Sequence, residues 1–219
     1  MAHRVARLRS RSARALRRTI RLPVNQTLIV PPRADLRARP IETERLTLAP
    51  VDPSDSQEVW LAVHGSRPLL SKWLPWVQYY TEPASSMRFT EACVADWDQG
   101  RALRFTIRER AGRTFVGVVG LESCVHIHRQ CDLGYWLRKE GMRRGLMTEA
   151  ARAAIEFAFR YMGAHRVRVA AATDNHASLR VISRLGFRFE GIARQAEWCD
   201  GRWLDHGVFA LLATDPRPG

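Results

Sequence analysis

Hydrophobic and polar residues alternate along Arg45-Leu46-Thr47-Leu48-Ala49, the period of a half-buried strand. Asp52 or Ser54 then offers a side-chain oxygen to cap a helix reaching about Val63. Ser71 to Tyr80 reads as an aromatic loop, because proline interrupts Trp73-Leu74-Pro75-Trp76. A second helix is predicted from about Ser85 to Trp97, stopped at Gly100. Three strands follow, over about Arg104–Arg110, Thr114–Cys124 and Cys131–Arg138, with links short enough for an antiparallel meander. Thr148 to Arg160 is an alanine-rich run without Gly or Pro and reads as a helix; Arg166 to Ala172 reads as a buried strand. Strand–helix–strand at this point calls for a right-handed parallel crossover. Asn175 or Ser178 opens a last helix ending near Gly186, and two closing strands flank the Asp200-Gly201 turn. The order β-α-α-β-β-β-α-β-α-β-β predicts an α/β fold.

At 219 residues, 46% of them hydrophobic, the chain suits one domain plus a tail. No apolar run approaches the roughly 18 residues that a membrane-spanning helix needs. The net charge of +13 is spread unevenly. Residues 1–40 carry 11 Arg against Asp35 alone, whereas the rest holds 24 Lys+Arg against 21 Asp+Glu. The reading is therefore an Arg-rich, disordered N-terminal extension over 1–40, a nearly neutral folded domain over 41–214 and a short C-terminal tail over 215–219. Val5, Leu8, Ala13, Leu16 and Ile20 can line one face of a basic helix, which would make the extension an RNA- or anionic-membrane-binding arm. A charge block without interleaved aromatics is more simply a solvated extension. It has no apolar stretch of the kind a secretory signal carries. Cys93, Cys124, Cys131 and Cys199 form no CxxC pair, which points to a reducing cytoplasm.

Candidate chemistry lies in the second half. Leu133-Gly134-Tyr135-Trp136-Leu137-Arg138 ends a strand, and Arg143-Arg144-Gly145-Leu146-Met147-Thr148 turns into a helix. Such a turn leaves free backbone N–H groups and the positive helix end where a phosphate can sit. Arg143 and Arg144 can add charge-assisted contacts. Asn175-His176-Ala177-Ser178, Leu185-Gly186-Phe187 and Gln195-Ala196-Glu197 follow.

Together these segments resemble the GCN5-related N-acetyltransferases (GNAT), and within them the RimJ/RimL type that acetylates ribosomal-protein N-termini, over about residues 41–214. The resemblance implies the GNAT fold: a mixed, mostly antiparallel sheet of about seven strands, splayed at a central parallel pair, with helices on both faces. It implies acetyl-coenzyme A as cosubstrate. The family's pyrophosphate turn falls on Met142, Arg143, Arg144, Gly145, Leu146 and Met147, followed by Thr148. Met142 and Met147 depart from the commonest pattern, but backbone N–H groups need no particular side chain. Tyr135, Trp136 and Leu137 would supply the strand edge on which the pantetheine amides pair, splayed from the strand at Val167 to Ala171.

The resemblance also assigns roles around the thioester. Asn175 would cap its helix and touch the pantetheine arm, and Ser178 would orient or protonate the departing thiolate. Both are equally ordinary helix-cap residues. Glu197 corresponds to the proposed base of the serine-directed ribosomal enzymes, and Glu190 is a lesser candidate. The chemistry suits a carboxylate, because aminolysis needs a neutral amine and a place for its proton. An α-amine of pKa about 8 is roughly one-tenth neutral near pH 7, against well under 1% for lysine. Trp73 to Trp76 and Tyr79-Tyr80 lie where the family binds its acceptor, though aromatic residues also simply pack. Cys124, His126 and His128 would share one face of a strand as a zinc site does. They span a predicted hairpin, however, and the family uses no metal, so none is expected.

The expected activity is acetyl transfer to a protein N-terminal α-amine, of the ribosomal-protein type, by direct attack in a ternary complex. A small-molecule amine such as an antibiotic or polyamine is the second reading. An RNA- or ribosome-binding module with an inactive body is the third, resting on Met142, Met147 and the basic tail. The chain is expected to act as a monomer or homodimer, with nucleic-acid or ribosome contact through the tail.

Overall fold

The computed structural model describes residues 27–217. Its single sheet has the order β1-β2-β3-β4-β5-β6-β8-β7. The strands are β1 Ile41–Glu42, β2 Leu46–Pro50, β3 Leu103–Glu109, β4 Phe115–Val125, β5 Gln130–Leu137, β6 Arg166–Ala172, β7 Arg188–Cys199 and β8 Arg202–Leu212. The helices are α1 Arg33–Ala38, α2 Ser56–Leu70, α3 Pro83–Asp98, α4 Leu146–Arg160 and α5 His176–Arg184. Every strand pair is antiparallel except β5–β6, which α4 connects. The strand beyond the expected seven is β1, two residues long.

Alternation along the strands sorts side chains between two helical layers. Leu133, Tyr135 and Leu137 of β5 and Val167, Val169 and Ala171 of β6 pack with Leu146, Ala150 and Ala154 of α4 and Ile182 of α5. Trp136 of β5 and Phe115 and Val118 of β4 pack on the opposite face, with Val59 and Val63 of α2 and Cys93 of α3.

Three boundaries differ from expectation. α2 continues through Gly65 and Pro68 to Leu70 because burying Ser66 and Leu70 outweighs the local breakers. The supposed extension folds in its described part: Leu28 is buried, and Trp97 Nε1 donates to the Pro31 carbonyl at 2.9 Å. Arg33 and Arg37 of α1 reach Asp52 at 3.0 and 2.7 Å. The dense charge of this stretch hides a short apolar anchor, so the folded body begins before residue 41. The basic helix read over Val5 to Ile20 lies outside the described residues. At the other end Asp215 accepts from the Leu212 N–H at 2.9 Å and Arg217 stacks 4.2 Å from the Phe159 ring, so residues 215–217 pack on the domain. Among the described residues no helix is long and apolar enough to cross a membrane.

Candidate active site

The central opening follows from register. β5 and β6 pair only at Gln130–Arg166, Cys131–Val167 and Asp132–Arg168. Beyond that point Leu133–Leu137 pairs only with β4, and Val169–Ala172 only with β8. Two strand edges therefore face one another across a wedge, each offering backbone N–H and C=O groups to an extended amide chain. Tyr135, Trp136 and Leu137 sit on one edge, as their sequence suggested.

The basic turn opens α4 at the same end of β5. Gly145 is the residue before the helix, with φ 77°, and Arg143 has φ 62°. Left-handed residues at a helix start turn successive N–H groups toward one concavity, a nest for an anion. A Cβ on Gly145 would meet Arg45 Nη2 at only 3.6 Å, so conformation rather than space calls for glycine. Arg45 ties the turn down, its Nη1 donating to the Arg144 carbonyl at 3.1 Å. Glu149 holds Arg45 in place. It accepts from Thr43 Oγ1 at 2.6 Å, the Arg45 N–H at 2.9 Å and Arg45 Nε at 2.7 Å. Burial opposes its charge, but these bonds prevail and hold its carboxyl below the usual range.

The predicted cofactor residues divide between surface and scaffold. Arg143 is exposed, whereas the Arg144 side chain is committed to Glu109. Met142 packs between both large apolar layers, and Leu146 and Met147 are buried. The two methionines that depart from the family pattern thus serve as apolar anchors of the turn. Thr148 lines a hollow of about 550 Å³ beside Gly145, Arg152 and Arg184.

Asn175 Oδ1 accepts from the Ser178 N–H at 3.2 Å, so the cap expected of Asn175 is present at α5. The Ser178 hydroxyl lies 2.8 Å from the Tyr135 hydroxyl across the wedge. Burial pushes the Tyr135 phenol up to about 12, the bond to Ser178 offsetting only part, so Tyr135 stays a neutral donor. Its hydroxyl is a contributor that the strand pattern alone did not indicate.

Glu197 stands on the other side. Between Ala193 and Glu197 β7 bulges against β8, with Gln195 at φ 47° and its N–H held by Asp205 Oδ1 at 2.7 Å. The Asp200-Gly201 turn sets Glu197 opposite Leu204, on the turn side of the bulge, with its carboxylate 3.4 Å from His206 Nε2. Burial raises the Glu197 pKa, and His206 pulls the other way. His206 is absent from the expected site. Counting register outward from the Asp200-Gly201 turn would have brought it beside Glu197.

The aromatic segment joins the two arms of the wedge. Trp73 packs against Ala172, Cys199 and Leu204, while Trp76 lies 6.1 Å from Trp136 of β5. Its tryptophans thus pack and wall the opening at once. Glu190 pairs with Arg166 at 2.8 Å and belongs to the scaffold. His126 to His128 form a 3-10 turn beyond β4 rather than a strand, and His126 Nε2 lies 2.8 Å from the Gly100 carbonyl. The period-two donor face does not arise there, and among the described residues no cluster of metal-ligating groups is found.

Comparison with known proteins agrees with this geometry. The chain is 29% identical over 177 residues to YdaF of Bacillus subtilis, covering 78% of this chain and 93% of that one. It is 34% identical over 122 residues to the ribosomal protein uS5-alanine N-acetyltransferase of Escherichia coli, covering 55% and 63%. Mycobacterium smegmatis RimJ, solved with a coenzyme A disulfide, superposes with a TM-score of 0.72 at 25% identity, over 77% of this chain and 82% of that one. RimL, a ribosomal L7/L12 α-N-protein acetyltransferase solved with coenzyme A, shares the fold at a TM-score of 0.76 and 24% identity, over 80% and 98%. The family model described as acetyltransferase (GNAT) domain matches residues 45–188, and the chain belongs to the GNAT acetyltransferase family.

Proposed function

We propose that this enzyme transfers acetyl from acetyl-coenzyme A to the N-terminal α-amine of a protein, of the ribosomal kind, by direct attack in a ternary complex. One observation carries the reading. The wedge between β5 and β6 has the Gly145 turn and the Tyr135–Ser178 pair on the α4–α5 face, and Glu197 with the aromatic segment on the other. Two substrates entering from opposite faces meet at one point, which is what direct attack requires.

In this reading the Gly145 nest holds the pyrophosphate, and the open edge at Tyr135–Leu137 pairs with the pantetheine amides. Glu197, directly or through water, takes the proton of the attacking amine. The C–S bond then breaks, and Ser178, supported by Tyr135, meets the thiolate. A thiol of pKa about 8.5 leaves with little acid help, so orienting the sulfur is the larger part of that role. The names of related proteins, which act on uS5 and L7/L12, support a ribosomal acceptor and hence cytoplasmic action.

The test is mass spectrometry of synthetic ribosomal N-terminal peptides incubated with the enzyme and acetyl-coenzyme A, beside spermidine and an aminoglycoside. A mass gain of one acetyl on the peptide α-amine is expected. Acetylation of the small amines alone would replace the acceptor and keep the chemistry.

A further inference from the structure

We infer that His206 is a positioning residue for Glu197, holding its carboxylate toward the wedge and receiving the proton that Glu197 takes from the amine. The inference rests on the acetyl-transfer reading above. It stands on placement. β8 pairs His206 with Ala172 at the end of β6, and Ala172 packs with Trp73, Cys199 and Leu204. Glu197 is registered with Leu204, so Glu197 and His206 are diagonal neighbours on one face of the hairpin, within reach of each other. The Asp200-Gly201 turn sets that register, and beyond it β7 bulges between the partners of Leu204 and His206. Asp205, the residue between them on β8, is occupied by the Gln195 N–H and fixes that bulge. Glu197 keeps 35% of its side chain exposed and His206 17%, so both partners of the pair touch solvent.

The proton balance is complete. The amine nitrogen bonds to the acetyl carbon and loses one proton to Glu197. His206 accepts it through Nε2 and releases it to solvent, while the C–S bond breaks and the departing thiolate takes a proton from solvent by way of Ser178 on the α5 side.

The test compares His206→Gln and His206→Ala with the unaltered enzyme, at saturating acetyl-coenzyme A and an acceptor peptide, with and without added imidazole. Both variants should lose about tenfold in kcat, less than loss of a base itself, with KM for acetyl-coenzyme A unchanged. Imidazole should restore His206→Ala in proportion to its free-base concentration. A purely structural role would give no such rescue. His206→Gln at full kcat, or His206→Ala indifferent to imidazole, would overturn the inference while leaving the acetyl-transfer reading intact. An unaltered enzyme that acetylates no amine would end both. If His206→Ala does not fold, kcat of the near-isosteric His206→Gln decides.

Discussion

The Tyr135 hydroxyl and the Ser178 hydroxyl lie 2.8 Å apart, tying strand β5 to the first turn of α5 across the wedge. Neither is a charged group, and the high pKa of Tyr135 keeps it so. The pair therefore presents an oriented hydroxyl proton rather than a base. Removing one neutral hydrogen bond costs about 0.5–1.5 kcal/mol, or roughly 2- to 10-fold in rate. Tyr135→Phe should lower kcat within that range and leave KM for the acceptor unchanged. Ser178→Ala should fall at its upper end, and the double variant should add little beyond Ser178→Ala. Steady-state kinetics on the three variants check this, and additive losses would argue against a coupled pair.

Glu197→Gln keeps the size and removes the proposed base. The expected loss is about 10²-fold or more in kcat. Acetyl-coenzyme A affinity should be unchanged, because Glu197 lies on the opposite face from the Gly145 turn. Stability moves the other way. A carboxyl whose folded pKa is raised by burial binds its proton more tightly when folded, so folding is favoured as pH falls through that value and penalised above it. Glu197→Gln should thus raise Tm at pH 7 and leave it nearly level at acid pH. A variant less stable at pH 7 would contradict the assignment of burial as the cause.

Asp52 joins the N-terminal segment to the domain. It accepts from the Ser54 N–H at 3.2 Å, and Arg33 and Arg37 reach it from α1. Burial raises its pKa, but Ser54, Arg33 and Arg37 outweigh that and hold it at about 2. A depressed carboxyl stabilises the fold above its unfolded pKa of 3.8, and that stability is lost as pH falls toward about 2. Asp52→Asn should flatten the acid limb of a denaturation profile between these values. Proteolysis should then release α1 more readily at neutral pH. An acid limb identical to that of the unaltered chain would exclude Asp52 as its source.

What the chain reveals on reading depends on how far apart the partners lie. Strands β2 to β6 and helices α3 to α5 are legible because alternation, turn residues and caps act within a few positions. Gly145, Asn175 and Ser178 are legible for the same reason. The Arg45–Glu149 clamp is not, since two exposed-type residues far apart in sequence carry no local mark of pairing. His206 escapes notice because it meets Glu197 only diagonally across the hairpin, once the register is counted out from the Asp200-Gly201 turn. Leu28 is missed because arginine density masks a short anchor that only Trp97 and the sheet make useful. Local grammar thus exposes the Gly145 turn and the Tyr135–Leu137 strand edge, each built from neighbouring residues. The Glu197–His206 pairing, assembled by tertiary register, is less visible.

Seating of acetyl-coenzyme A in the wedge, with its pyrophosphate on the Gly145 turn, is read out by calorimetric titration of acetyl-coenzyme A into the unaltered chain and into Gly145→Glu. The substitution adds a negative charge at the proposed phosphate nest and strains a left-handed position by about 1 kcal/mol. Micromolar binding that disappears in a variant still folded by circular dichroism is the predicted result. Equal binding by both proteins, or none by the unaltered chain, would contradict the account.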